Sequence, residues 1–296
     1  MSLSPGQAVE RVPAPALFVG SGLAQYLGAA IAVTLFATIP AVGVAWLRIL
    51  FAAVVLVAWR RPWRLTWTRR DVGVVLAFGV ALAVMNVSFY VAIDRLPLGT
   101  AVAIEFVGPV AVAAATGSGW RERGGMAVAA AGVLLLTGVS LVNGQDAVVG
   151  LVAIGVAATA WAAYILLGRR VALSGDGVTR LAAAMAVAAV VLAPVLARQA
   201  TGVLDAWWLV GAVLAVAVLS SVIPYAIEQV VLRRVSAATF AVLLAMLPAT
   251  AAVVGAVVLR QLPQPLDVVG LVLVSAAIGL TTTRRPEPVT APDAGA

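Results

Sequence analysis

Ten apolar runs, each about the length a helix needs to cross a bilayer, alternate with short polar connections along this chain. They fall at roughly 16–38, 41–59, 72–93, 98–117, 124–142, 149–168, 178–197, 207–231, 236–258 and 266–283. Within each run the apolar residues are continuous and do not alternate with polar ones. That pattern predicts helices and excludes a closed β-barrel. The expected fold class is therefore all-α: a polytopic membrane protein with ten transmembrane helices. Residues 1–15 are polar and Pro-rich, and no cleavable signal peptide is evident before the first run. The tail from 284 to 296 reads as disordered.

The polar connections fix an orientation. With the N-terminus in the cytoplasm, the inner connections carry Arg60, Arg61, Arg64, Arg69 and Arg70, then Arg121 and Arg123, Arg169, Arg170 and Arg180, and Arg233 and Arg234. The outer connections hold only Arg95, Arg198 and Arg260. This asymmetry is the positive-inside pattern and predicts both termini inside. Trp59, Trp63 and Trp67 at one inner boundary, and Trp207-Trp208 at an outer one, suit interfacial anchoring.

An internal repeat is expected as well. Arg95-Leu96-Pro97 matches Arg234-Val235-Ser236, and Pro109 matches Pro248, both at an offset of 139 residues. Five spans per half is an odd number, so the halves would be inverted relative to one another. The predicted organisation is a cytoplasmic segment at 1–15, a five-helix repeat at 16–142, a second at 149–283 and the tail at 284–296. Inverted repeats are the architecture of alternating-access transporters, with the site near the midplane.

Charges inside the spans single out candidate site residues. Of twelve acidic residues, only Glu105 and Glu228 lie well within a span, and of nineteen Arg only Arg48 does. Each costs about 2.5–3.5 kcal/mol at a span centre, so each needs a partner or a watery cavity. Glu105 sits one turn before Pro109, which removes a backbone donor and suits a helix that lines a cavity. It reads either as a carboxylate for protons or ammonium groups, or as half of a structural ion pair with Arg48. Glu228 lies in Pro224-Tyr225-Ala226-Ile227-Glu228, with Tyr225 on its face. It could equally snorkel or pair with Arg233 or Arg234. Arg48 could receive a substrate carboxylate or neutralise a Glu. Asn86 and Tyr90, spaced i, i+4, share a face that could line a cavity or hold helices together. Trp161 and Tyr164 could form an aromatic wall or ordinary packing. Pro109, Pro224 and Pro248 are the expected helix breaks. Glycines at 124, 125, 132, 138, 270 and 279 would allow close helix approach, either between the halves or in a homodimer.

Composition narrows the class further. The chain of 296 residues is 63% hydrophobic and 10% charged, more apolar than a soluble domain of this length requires. It has no Cys and no His, which excludes disulfides, Cys/His metal sites and a His proton relay. All nineteen basic residues behind the net charge of +7 are Arg, and most lie in short connections between the runs, so a nucleic-acid partner is not expected. No GxSxG elbow, P-loop Lys or HExxH occurs, so neither an enzyme nor an ATP-driven pump is expected, and no cofactor or metal is implied.

Several stretches carry a family resemblance. They are Arg61-Pro62-Trp63-Arg64-Leu65, Met85-Asn86, Phe89-Tyr90, Leu96-Pro97-Leu98-Gly99, Ala101-Val102-Ala103, Glu105-Phe106 and Gly108-Pro109 in the first half. In the second half they are Trp161, Tyr164-Ile165-Leu166, Pro224-Tyr225, Glu228 and Thr239-Phe240. Together they resemble the drug/metabolite transporter superfamily, EamA-type, and within it the bacterial threonine/homoserine exporters. The resemblance implies a ten-helix inverted repeat in the bacterial inner membrane that exports small neutral amino acids by proton antiport. It makes Glu105 and Glu228 candidate functional carboxylates, and Asn86 and Tyr90 candidate cavity residues. Two positions depart from the pattern. The exporters carry an acid just before the second-half Pro, where this chain has Leu247. The superfamily carries a Glu just past the ninth span, where this chain reads Arg260-Gln261, a difference expected to bear on helix capping or assembly.

The expected function is thus a secondary transporter of threonine- or homoserine-like amino acids. A drug or lipophilic-cation exporter of the same architecture is the alternative, and a structural or sensory membrane protein is a third class.

Overall fold

The computed structural model describes residues 13–116, 120–141, 145–172, 177–224, 227 and 247–282. Among these residues there are helices, turns and connections, and no strand. In chain order the helices are α1 Ala14–Leu35, α2 Ala41–Arg60, α3 Arg69–Ile93, α4 Leu98–Glu105, α5 Val107–Thr116, α6 Trp120–Leu141, α7 Gln145–Ala172, α8 Gly177–Leu196, α9 Trp207–Ala217, α10 Leu247–Val258 and α11 Pro265–Thr282. Short 3-10 segments follow α2 (Pro62–Arg64) and α8 (Ala197–Leu204), and a π turn (Val218–Val222) continues α9.

Among the described residues, five helical stretches are long and apolar enough to cross a membrane: Ala16–Leu35, Ala41–Arg60, Arg69–Ile93, Asp146–Gly168 and Gly177–Leu204. Shorter apolar helices accompany them. The chain is an all-helical, polytopic membrane protein. A helix satisfies its own backbone, which the hydrocarbon cannot do. Aliphatic side chains such as Val54, Leu134, Val190, Val257 and Val272 stand exposed on the helix exteriors, as residues facing lipid do.

Helix ends follow local chemistry. Pro13, Pro40 and Pro97 each precede a helix in extended geometry, where their missing N–H costs nothing. Thr68 and Asp71 form a reciprocal capping box at the start of α3. The run expected as one span at 98–117 is two helices, α4 and α5, interrupted at Phe106. The reason is Pro109. It has no N–H to give the carbonyl four residues earlier, which is that of Glu105. Gly108 lets α5 press on α7, because a Cβ there would collide with the carbonyl oxygen of Ala158.

Two buried apolar clusters form the core, one drawing on most of the helices and one on α2, α3 and α8. Helix α11 packs on α6 through Gly270 and Gly132, each of which meets the other's carbonyl. Those two glycines therefore serve packing within the chain. Helix α10 packs on α4, where a Cβ on Gly99 would lie 2.7 Å from the Ala252 Cα.

Candidate functional site

Between these packed helices lies a cavity of about 230 Å³. It brings together Arg48 from α2, Asn86 from α3, Glu105 from the end of α4, and Trp161 and Tyr164 from α7. Pro109 and Pro224 line it as well. Residues widely separated along the chain thus meet at one place.

Arg48 is the most firmly held of them. It is only 8% exposed. Its Nε donates to the Ser221 hydroxyl at 3.1 Å, and one Nη donates to the Ser220 carbonyl oxygen at 2.8 Å. The guanidinium lies over the Tyr90 ring, 5.4 Å from its centroid. The carbonyl is available for a sequence reason. In an α-helix it would accept from the N–H four residues on, and that residue is Pro224. The π turn at Val218–Val222 marks the same disturbance. Ser220 is itself fixed, since its hydroxyl donates to the Gln25 carbonyl of α1 at 3.1 Å. The other Nη makes no well-formed hydrogen bond or ion pair among the described residues, and Arg48 lines the cavity.

Glu105 is half-buried and faces the same cavity. Among the described residues no ion pair joins it to Arg48, whose guanidinium is occupied by Ser220 and Ser221. Arg48 acts on it only through longer-range attraction. The ion-pair reading of these two charges therefore gives way to two separate charged groups facing one space.

The other expected residues divide. Asn86 lines the cavity; its amide N–H₂ donates to the Leu82 carbonyl one turn back at 2.9 Å, and its oxygen accepts no hydrogen bond among the described residues. Tyr90 does not line it. It is fully buried beneath Arg48, and its hydroxyl makes no well-formed hydrogen bond among the described residues. Trp161 sits edge-on to Phe106 at 4.7 Å, and Tyr164 stacks on Phe78 at 4.7 Å. Tyr225 and Glu228 lie outside the described residues. Pro248 is buried within α10 and is not among the residues that line the cavity.

Sequence reasoning missed Gln25, Ser220 and Ser221. The available signal was two adjacent hydroxyls in an apolar run, four and three residues before a proline. Gln261 is also clarified. Its side-chain oxygen accepts the Leu98 N–H at 2.9 Å and so caps the start of α4 from another element.

A model of the EamA-like transporter family matches residues 148–283. The threonine/homoserine exporter RhtA of Salmonella typhimurium (strain LT2) is 36% identical over 222 residues, covering 75% of this chain and 75% of its own length. The exporter of the same name from Escherichia coli (strain K12) gives the same identity and coverage. A solved crystal structure superposes with a TM-score of 0.57 at 16% identity, covering 90% of this chain and 96% of the other, which shows a shared fold.

Proposed function

This chain belongs to the EamA-like transporter family, and on that premise we propose that it exports small neutral amino acids of the threonine or homoserine kind by exchange for protons. Export runs from the cytoplasm across the bacterial inner membrane, with both termini inside. The architecture is ten spans in two inverted five-helix halves, 16–142 and 149–283. Five long and five shorter apolar helical stretches among the described residues support that number. The 139-residue offset supports the pairing, together with the packing of α4 on α10, the helices that carry or closely precede its two prolines.

The observation that carries the reading is that Arg48 and Glu105 face one cavity without neutralising each other. A zwitterionic amino acid has a carboxylate and an ammonium, and the cavity offers one receptor for each. The guanidinium fork of Arg48 takes the carboxylate through the N–H groups that make no hydrogen bond among the described residues. Glu105 takes the ammonium or a proton, never both, and that exclusion couples the two fluxes. Asn86 offers its amide oxygen to the rest of the substrate. Trp161 and Tyr164 close the aromatic side. Tyr90 acts through Arg48, and Glu228 and Tyr225 are further candidate residues supplied by the second half. The halves rock about this point to expose it to each side in turn. Arg48 also weighs against the alternative of a lipophilic-cation or drug exporter, because a fixed guanidinium repels a cation.

The test uses the purified chain in liposomes with an imposed pH gradient. Radiolabelled threonine is followed with homoserine and a lipophilic cation as competitors, for wild type and Glu105→Gln. The expected result is gradient-driven threonine movement that homoserine blocks and the substitution removes. Cation movement without threonine movement transfers the protein to the drug-exporter class. Undiminished coupled transport by Glu105→Gln removes Glu105 from the mechanism.

A further inference from the structure

The connection between α2 and α3 is short, strongly basic and held rigid, and it lies apart from the cavity. Helix α2 ends at Arg60, and Arg61 then turns into the left-handed region at φ 50°, with its N–H returned to the Val57 carbonyl at 2.9 Å. Pro62–Arg64 forms a single 3-10 turn, closed by the Arg64 N–H on the Arg61 carbonyl at 3.0 Å. The Trp67 indole N–H donates to the Pro62 carbonyl at 3.1 Å. At its far end the connection enters the Thr68–Asp71 capping box. Asp71 is paired with Arg180 of α8 at 2.5 Å, and the Arg180 guanidinium lies over the Trp67 ring at 5.5 Å.

These fixings use up the one acid in the stretch and leave four cations. Arg61, Arg64, Arg69 and Arg70 are all exposed, and among the described residues their side chains make no hydrogen bond or ion pair. Between them stand two exposed indoles, Trp59 at 56% and Trp63 at 65%. Tryptophans seek the headgroup level of a bilayer. A cluster of arginines at that level, paired with no acid among the described residues, is complementary to phosphate-bearing anionic lipids. Rigidity matters, because a preformed platform loses little side-chain and loop freedom when a headgroup docks.

We propose that this platform is a binding site for anionic phospholipid headgroups, with Arg61 and Arg64 holding the phosphate and Trp59 and Trp63 resting at the acyl boundary. The inference needs only that the chain sits in a bilayer, so it stands or falls separately from the transported substrate.

The test is tryptophan quenching of the full chain reconstituted in two sets of vesicles. Both contain phosphatidylcholine and phosphatidylglycerol in one fixed ratio, with bromine on the acyl chains of one lipid or the other. Bromine on phosphatidylglycerol is expected to quench more strongly than its share of the lipid allows. The excess should vanish in Trp59→Phe/Trp63→Phe, which removes the reporters. Each basic residue near an anionic surface is worth about fivefold in local enrichment, so Arg61→Gln/Arg64→Gln should collapse the excess. Arg95→Gln, which removes an exposed Arg already paired with Asp94, should leave it intact. Equal quenching by the two brominated lipids in the wild-type chain overturns the proposal, whatever the variants do. So does an excess that survives loss of Arg61 and Arg64, or one that Arg95→Gln removes as fully.

Discussion

Arg48 donates to the carbonyl oxygen of Ser220 at 2.8 Å, across 172 residues of sequence, because Pro224 has left that carbonyl without its helical donor. The same rule operates at Pro109, which leaves the carbonyl of Glu105 without one. Both charged residues of the cavity are thus tied to a proline-broken helix. One is held by the freed carbonyl, and the other owns it.

Ser221 holds the Nε of Arg48, and Ser221→Ala should loosen the guanidinium without removing its charge. A hydrogen bond to a charged group is worth about 1.5–3 kcal/mol, so the KM for threonine should rise about tenfold or more while the maximal rate changes little. Ser221→Thr keeps the hydroxyl and should restore the wild-type KM. Arg48→Lys should not, since a point charge cannot reach Ser220 and Ser221 and still present a fork. Equal losses in Ser221→Ala and Ser221→Thr would assign the position to packing alone.

Pro109→Ala restores an N–H to the Glu105 carbonyl and removes the reason for the interruption at Phe106. Proline inside a helix costs about 3 kcal/mol relative to alanine, so the variant should melt at a higher temperature. It should also transport more slowly, because α4 and α5 become one stiff helix. A more stable variant with undiminished flux would mean that the break has no part in the transport cycle.

Gly108 and Gly155 should respond to alanine with opposite signs. Gly108 abuts the Ala158 carbonyl, so Gly108→Ala overpacks the α5–α7 contact and should cost about 1–3 kcal/mol. Gly155 faces open space within α7, so Gly155→Ala should gain about 0.5–1 kcal/mol from helix propensity. Thermal unfolding in detergent reads both. A loss at both positions would show that the spacing around α7 differs from that described.

Gln261 caps α4 by accepting the Leu98 N–H, and Gln261→Leu leaves that donor unpaired. Loss of a helix cap costs about 1 kcal/mol, which should appear as a lower melting temperature. Gln261→Glu retains an acceptor and should be tolerated. An unchanged melting point for Gln261→Leu would mean that water replaces the cap at no cost.

Much of the fold was legible in the sequence, because a bilayer imposes one requirement on every span. Continuous apolar runs must become helices, so class and approximate limits follow from composition and length. The scarcity of charge within the runs was enough to pick out Arg48 and Glu105. Other assignments needed the packing. Asn86 and Tyr90 share a helical face in sequence, yet only Asn86 reaches the cavity, because Arg48 of α2 covers the Tyr90 ring. The sequence also left Arg48 and Glu105 open as an ion pair. Which groups satisfy a buried guanidinium depends on the distance between helices that local pattern does not encode.

The sequence by itself therefore determined that this chain lives in a membrane as helices, and which residues there are too costly to be incidental. The penalty for a charge or a broken backbone in hydrocarbon is local, so it can be read one residue at a time. Only the tertiary structure decided what those residues do for one another. It set Ser220, Ser221 and Tyr90 around Arg48, placed Glu105 on the same cavity without an ion pair to Arg48, and joined Gln261 to Leu98. Those relationships depend on which helices pack side by side, and that is settled by shape and small-residue contacts spread over the whole chain.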